Sequence, residues 1–143
     1  MINILEVESI HTFIGQFHIL EGVSLTVPKG SITALLGRNG AGKTTTLKSI
    51  IGLTAPREGR VVFNGQQING RPAYEIAALG IGYLPEHRAV FRDLTVEENL
   101  KIAERGKNDF AKKSDFLFEL FPDLKTFYKH SGGQLSGGQQ QML

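Results

Sequence analysis

The residues best suited to chemistry are Gly37, Arg38, Asn39, Gly40, Ala41, Gly42, Lys43 and Thr44, which meet the spacing G-x-x-x-x-G-K-[ST]. Glycines allow a backbone to curl until successive N–H groups point at one centre, and a helix beginning just beyond adds its partial positive charge. Such a loop holds phosphate. Lys43 supplies a cation for the β- and γ-phosphates, the Thr44 hydroxyl a ligand for Mg2+, and Thr45 a contact to the α-phosphate. The expected ligand is a nucleoside triphosphate, ATP in the simplest case, with its Mg2+.

A second glycine motif occurs twice. Ser131-Gly132-Gly133-Gln134 is followed by Ser136-Gly137-Gly138-Gln139. Two copies do not make a repeat architecture, so one is expected to carry chemistry. The second is preferred, because Leu135 precedes it and Gln140-Gln141-Met142-Leu143 reads as the start of a helix. The first follows His130, read as a loop residue, and runs straight into more glycine.

These motifs need elements to hold them. Residues 31–36 form a short, almost wholly apolar run, expected as a strand buried on both faces, and 43–51 as a helix closed by Gly52. Before them, residues 2–10 read as a strand, and 17–20 with 23–27 as a strand pair ending at the turn Pro28-Lys29-Gly30. After them come a turn at 56–59, a strand at 60–63 and a hairpin at Asn64-Gly65. A helix from Pro72 to about Leu79, ended by Gly80, and a buried strand at 81–84 complete this part. Beyond Pro85 the pattern turns helical. Thr95 and Glu98 form a capping box opening a helix to about Glu104, and residues 105–109 are a polar break. A further helix spans 112–120, with Phe116, Leu117, Leu120 and Phe121 on its apolar side and Pro122 at its end. The chain thus divides into a β-rich part, 1–85, and a helical part, 86–143.

At 143 residues the chain is the size of one domain or part of one. Its formal charge of +2 is too small to argue for nucleic acid or an acidic membrane surface, so no nucleic-acid partner is expected, and the absence of cysteine excludes disulfides and Cys-ligated zinc. A pI near 9.0 and a mean hydropathy of −0.11 are ordinary. No stretch approaches the roughly 20 apolar residues of a bilayer span, and the N-terminus does not read as a signal peptide.

With Leu135-Ser136-Gly137-Gly138-Gln139 downstream of the phosphate loop, the chain resembles the ABC ATPases, the nucleotide-binding subunits of ABC transporters. Tyr83-Leu84-Pro85-Glu86 and Leu94-Thr95-Val96-Glu97-Glu98-Asn99-Leu100 stand between the two motifs in family order. The resemblance implies an α/β fold: a phosphate-loop NTPase core of the RecA-like kind, with an N-terminal antiparallel β part and a helical subdomain. It also implies that Ser136, Gly137, Gly138 and Gln139 face the γ-phosphate of ATP held by an opposite subunit. That subunit is another ABC ATPase, in a homo- or heterodimer. The other partners implied are integral membrane permease subunits, which hold the protein on the cytoplasmic face of the membrane.

Residues 85–91 and 94–100, with Gly65-Gln66, Ile68, Pro72-Ala73 and Leu120-Phe121-Pro122, are similar to the subgroup serving branched-chain amino acid importers and the related amide and urea importers. A soluble, non-transport ABC ATPase is the alternative. No heptad run separates the two motifs, as the DNA-repair branch would require.

Two positions depart from the family pattern. Glu86 stands where a glutamine is usual, a residue implied to sense Mg2+ and the attacking water. A carboxylate can still accept from water or approach Mg2+, so Glu86 is grouped with Lys43 for catalysis and with Thr44 for metal. Where the family stacks adenine on an aromatic residue before a glycine, Ile14 precedes Gly15. Phe13 or Phe17 provides the face instead, with Phe13 preferred.

The sequence stops at Leu143, before the family's next strand, whose Asp and Glu support Mg2+ and polarise water, and before its switch histidine. The expectation is therefore an incomplete ABC ATPase domain, poorly stable and inactive by itself.

Overall fold

The computed structural model describes residues 2–87, 89–104 and 106–143. Two compact units separate between Tyr83 and Leu84, two residues before the seam expected at Pro85.

The first unit is built on a four-stranded antiparallel sheet of order β2-β1-β3-β4. Strands β1 (Asn3–Ile14) and β2 (Phe17–Pro28) form a long hairpin turning through Gly15, whose φ is +61°. The segments 17–20 and 23–27 are one strand, not two. Gly22, at φ +75°, sits as a bulge between the pairs His11–Glu21 and Ile10–Val23, so the ladder resumes after one extra residue.

A second bulge explains a break in the alternation of β1. Val7 and Ile10 are both buried, while Glu8 and Ser9 between them are exposed and Ser9 lies at φ +42°. The extra residue returns Ile10 and Thr12 to the core side. Strand β3 (Glu58–Phe63) meets this bulge at Gly59, where a Cβ would lie 2.4 Å from the Ser9 carbonyl oxygen. Strand β4 (Gln66–Gln67) follows through Asn64 and Gly65, at φ +49° and +78°, the positive pair that a two-residue hairpin turn requires.

Helices α1 (Lys43–Ile50) and α2 (Ala73–Ala78) bury Ile50 and Ile76 with Val7, Ile10, Leu20, Val61 and Ile68. The C-terminus of α1 is closed as expected: Leu53 N–H donates to the Lys48 carbonyl at 3.0 Å and Gly52, at φ +77°, to that of Ser49 at 3.4 Å.

Two expectations fail in this unit. Residues 31–36 form no strand, and Ile32 and Leu36 are exposed; residues 81–84 form none either, and Leu84 is exposed. A strand buried on both faces needs ladder partners at its edges, and no described strand pairs with either segment. Neither segment therefore joins a sheet among the described residues.

The second unit is helical: α3 (Val96–Ile102), α4 (Asp109–Leu120), α5 (Pro122–Thr126), a 3-10 turn (Gly132–Gln134) and α6 (Gly137–Met142). The capping box forms, with Thr95 N–H on the Glu98 carboxylate at 2.7 Å and Glu98 N–H on the Thr95 hydroxyl at 3.2 Å. The core joins Val96, Leu124 and Leu135 with Leu100, Phe118, Phe121 and Phe127. Helix α4 begins three residues before the expected start at 112 and turns a different face inward. Phe118 packs in the core and stands edge-on to Tyr128 at 5.7 Å, whereas Phe116 and Leu120 are exposed. With apolar residues almost all round its C-terminal half, α4's inward face is chosen by the aromatic partner on the neighbouring segment and not by periodicity.

Candidate nucleotide-binding site

The phosphate loop lies between residues 31–36 and α1. Gly40 and Gly42 adopt φ of +82° and +88°, and Ala41 N–H closes a turn onto the Arg38 carbonyl at 3.1 Å. Lys43 folds back across the loop, donating from Nζ to the carbonyls of Gly37 at 2.7 Å and Arg38 at 2.8 Å. Gly42 is fixed from behind by β2, since a Cβ there would lie 2.7 Å from Leu20 Cδ2.

At the start of α1 the backbone is prepared for an anion. The first intrahelical bond is Thr46 N–H to the Gly42 carbonyl at 2.8 Å, so the N–H groups of Lys43, Thr44 and Thr45 have no acceptor among the described residues. No side chain caps this end and no acidic residue stands in the first turn, which leaves the helix's positive end unneutralised. The Thr46 hydroxyl donates to Gly42 O at 3.0 Å, and Ser49 meets Thr12 of β1 through a buried hydroxyl pair 2.9 Å apart. The first contact holds α1 to its loop and the second holds α1 to the sheet.

No group of three or more His, Cys, Asp or Glu among the described residues is arranged to hold a metal ion. Mg2+ arriving with a nucleotide asks less, because phosphate oxygens and water fill most of its shell. The exposed Thr44 hydroxyl, without a hydrogen-bond partner among the described residues, fits that single ligand position. Glu86 is exposed in the second unit.

Phe13 is not open. The His18 ring stacks on it at 4.1 Å with the planes 6° apart, and the Arg57 guanidinium carbon lies 4.3 Å from its centroid. The ring is thus already engaged by two groups. Phe17, paired with Ile14 across the end of the hairpin, is 65% exposed.

The two Ser-Gly-Gly-Gln copies differ in what their backbone does. In the first, Gly132 N–H donates to the Leu94 carbonyl at 2.7 Å and Gly133 N–H to that of Arg92 at 2.9 Å. In the second, Ser136 caps α6 reciprocally with Gln139, Ser136 N–H donating to Gln139 Oε1 at 2.8 Å and Gln139 N–H to Ser136 Oγ at 3.3 Å. The N–H groups of Gly137 and Gly138 have no partner among the described residues, and a Cβ on Gly138 would meet nothing within 4 Å.

Residues 20–143, from the middle of β2 through both motifs, match the family described as ABC transporter. The chain belongs to that family. Among curated ABC proteins it is 46% identical over 130 residues to the probable branched-chain amino acid transport ATP-binding protein LivF of Archaeoglobus fulgidus, covering 90% of this chain and 55% of the relative. It is 40% identical over 141 residues to the high-affinity branched-chain amino acid transport ATP-binding protein BraG of Pseudomonas aeruginosa, covering 97% and 60%. A dimeric ATP-binding cassette solved in a post-hydrolysis state with ADP and Pi superposes with a TM-score of 0.79 at 26% identity, over 96% of this chain and 66% of that one. The ABC chain described here thus spans 55% to 60% of the length of these curated relatives.

Leu20 and Thr46 also support the phosphate loop without standing out in the sequence, and Gly132, Asn99 and Gln140 stood there only as members of motifs, with no supporting role. Asn99 alone left a signal: asparagine inside a helix works against its propensity and implies a hydrogen-bonding duty.

Proposed function

We propose that this chain is the ATP-binding portion of an ATPase subunit that powers an importer of branched-chain amino acids, or of the related amides and urea. The phosphate loop carries the reading: three free N–H groups, an unneutralised helix start and a lysine folded over one curled backbone. The substrate class is supported by the names borne by LivF and BraG.

In this reading the N–H groups of Lys43, Thr44 and Thr45 hold the phosphate chain of ATP. Lys43 exchanges the carbonyls of Gly37 and Arg38 for β- and γ-phosphate oxygens, and the Thr45 hydroxyl reaches the α-phosphate. Thr44 would hold the Mg2+ that accompanies the nucleotide, and that ion would supply neutralisation of phosphate charge. Glu86 is proposed to approach the metal or the attacking water. Phe17, with its free face, is the better platform for adenine, since Phe13 would first have to shed His18 or Arg57. Two such subunits, identical or not, close head to tail, with Ser136, Gly137 and Gly138 of each against the γ-phosphate on the other. Hydrolysis reopens them and moves permease subunits in the membrane, on whose cytoplasmic side the ATPase sits. No nucleic acid takes part.

Lys43→Ala, made in the protein that carries this chain, tests the site by calorimetric titration with Mg-ATP. Loss of a charged hydrogen-bonding group at about 1.5–3 kcal/mol predicts an affinity lower by roughly 10- to 150-fold. Unchanged affinity would remove the loop as the ATP site. Uptake of labelled leucine by cells producing the variant, compared with uptake of an amide and of urea, separates the transported classes.

A further inference from the structure

The first Ser-Gly-Gly-Gln copy is not used by the function proposed above, yet it is one of the most tightly held segments of the second unit. Its backbone is sewn to the loop before α3 by Gly132 to Leu94, Gly133 to Arg92 and an isolated antiparallel bridge between Ser131 and Thr95. Gly132 has no room for a side chain: a Cβ would stand 2.6 Å from Val90 Cγ1 and 2.9 Å from the Phe91 carbonyl oxygen.

That loop is itself clamped by one residue. Asn99 Oδ1 accepts from Phe91 N–H at 2.9 Å, while Nδ2 donates to the carbonyls of Phe91, Leu94 and Thr95 at 3.0, 3.2 and 2.9 Å. On the other side, the buried Gln140 of α6 donates from Nε2 to the Gly132 carbonyl at 2.9 Å. Leu135, between the copies, is buried against Val96 and Leu124.

A continuous path of hydrogen bonds therefore runs from Asn99 through the 91–95 loop and the first copy to Gln140. Gln140 lies one residue after the second copy, on the first turn of the helix that presents Ser136, Gly137 and Gly138. We propose that the first copy is a rigid seat for the second, and that Gln140 and Asn99 are positioning residues for the signature motif. This rests on the reading that Ser136, Gly137 and Gly138 face ATP held by another subunit. The two copies divide the work: one directs its N–H groups inward to fix its place, and the other keeps Gly137 and Gly138 N–H free for the phosphate. A buried amide with a single fixed acceptor is suited to this, because turning α6 stretches and bends the one bond that Gln140 makes.

The test is Gln140→Met in the protein that carries this chain, since methionine keeps the volume and removes the donor. Expected are Mg-ATP affinity of the monomer and the KM for ATP both within about twofold of the parent. ATP-driven dimerisation and kcat should each fall about tenfold. Asn99→Asp, which keeps Oδ1 and removes the donating Nδ2, should act in the same direction. Thermal melting is followed in parallel: equal loss of monomer ATP affinity and dimerisation, tracking a lower Tm, would show a merely structural role and overturn the proposal. Ser136→Phe separates the two readings. If it leaves dimerisation intact, the signature reading itself is wrong. If it abolishes dimerisation while Gln140→Met and Asn99→Asp do not weaken it, the seat is wrong and the signature reading stands.

Discussion

At the scale of single residues, this chain separates groups that could bind nucleotide from groups that are free to. Phe13 and Phe17 are equal candidates by type, but Phe13 is engaged by His18 and Arg57 while Phe17 is exposed. Base stacking on an aromatic side chain is worth about 1–3 kcal/mol, so Phe17→Ala is expected to weaken ATP binding by roughly 5- to 150-fold. Binding of inorganic tripolyphosphate, which has no base, should not change. Phe13→Ala should leave ATP affinity within about twofold. The opposite ranking in a titration with both ligands would return the platform to Phe13. Glu86 is a different case: its exposure permits the proposed role and does not demand it.

At the scale of elements, α3 shows charge arranged around one carboxylate. Glu97 accepts from Lys101 one turn on, at 2.7 Å, and from Lys129 of the segment leading to the first glycine motif. These two ammonium groups hold its pKa down at about 2, against an ordinary 4.5. A carboxylate whose folded pKa lies below its unfolded value stabilises the fold above the unfolded value, and that contribution is lost as pH falls from about 4.5 through 2. Urea unfolding across that window should show stability falling with acid, and Glu97→Gln should flatten part of the slope, costing stability near neutrality and converging on the parent at the acid end. The pair is exposed and screened, so added salt should reduce the difference between parent and variant. An unchanged slope in the variant would show that the two lysines do not act on Glu97 in solution.

At the scale of the whole molecule, the proposed dimer makes a prediction that neither unit makes separately. If each ATP is held by one subunit's loop and the other's signature, Lys43→Ala and Ser136→Phe damage different halves of the same composite site. Each variant alone should lose ATPase activity in the protein that carries this chain. A mixture in equal parts should recover about a quarter of the parent rate, because half the dimers are mixed and each mixed dimer retains one intact site. Where the two subunits are identical, no recovery on mixing, with both variants folded, would argue for sites contained within one subunit. Residues 31–36 and Leu84 belong at this scale as well: their apolarity predicts burial, but burial of a strand is decided by its ladder partners, and no described strand supplies them.

Features governed by a few adjacent residues were legible in the amino-acid order. The phosphate loop, the Thr95–Glu98 box, the Asn64-Gly65 turn and the Gly52 cap all follow from local backbone preference and side chains reaching their own backbone. The preference for the second Ser-Gly-Gly-Gln copy came from its neighbours Leu135 and Gln140. The reason for two copies did not, because it depends on Asn99 and on carbonyls of a loop some forty residues earlier. Only the tertiary structure decided which phenylalanine has a free face, which side of α4 turns inward, and where β1 and β2 bulge. Each of these is a choice among chemically equivalent residues, and the choice is made by what packs against them from a distant part of the chain.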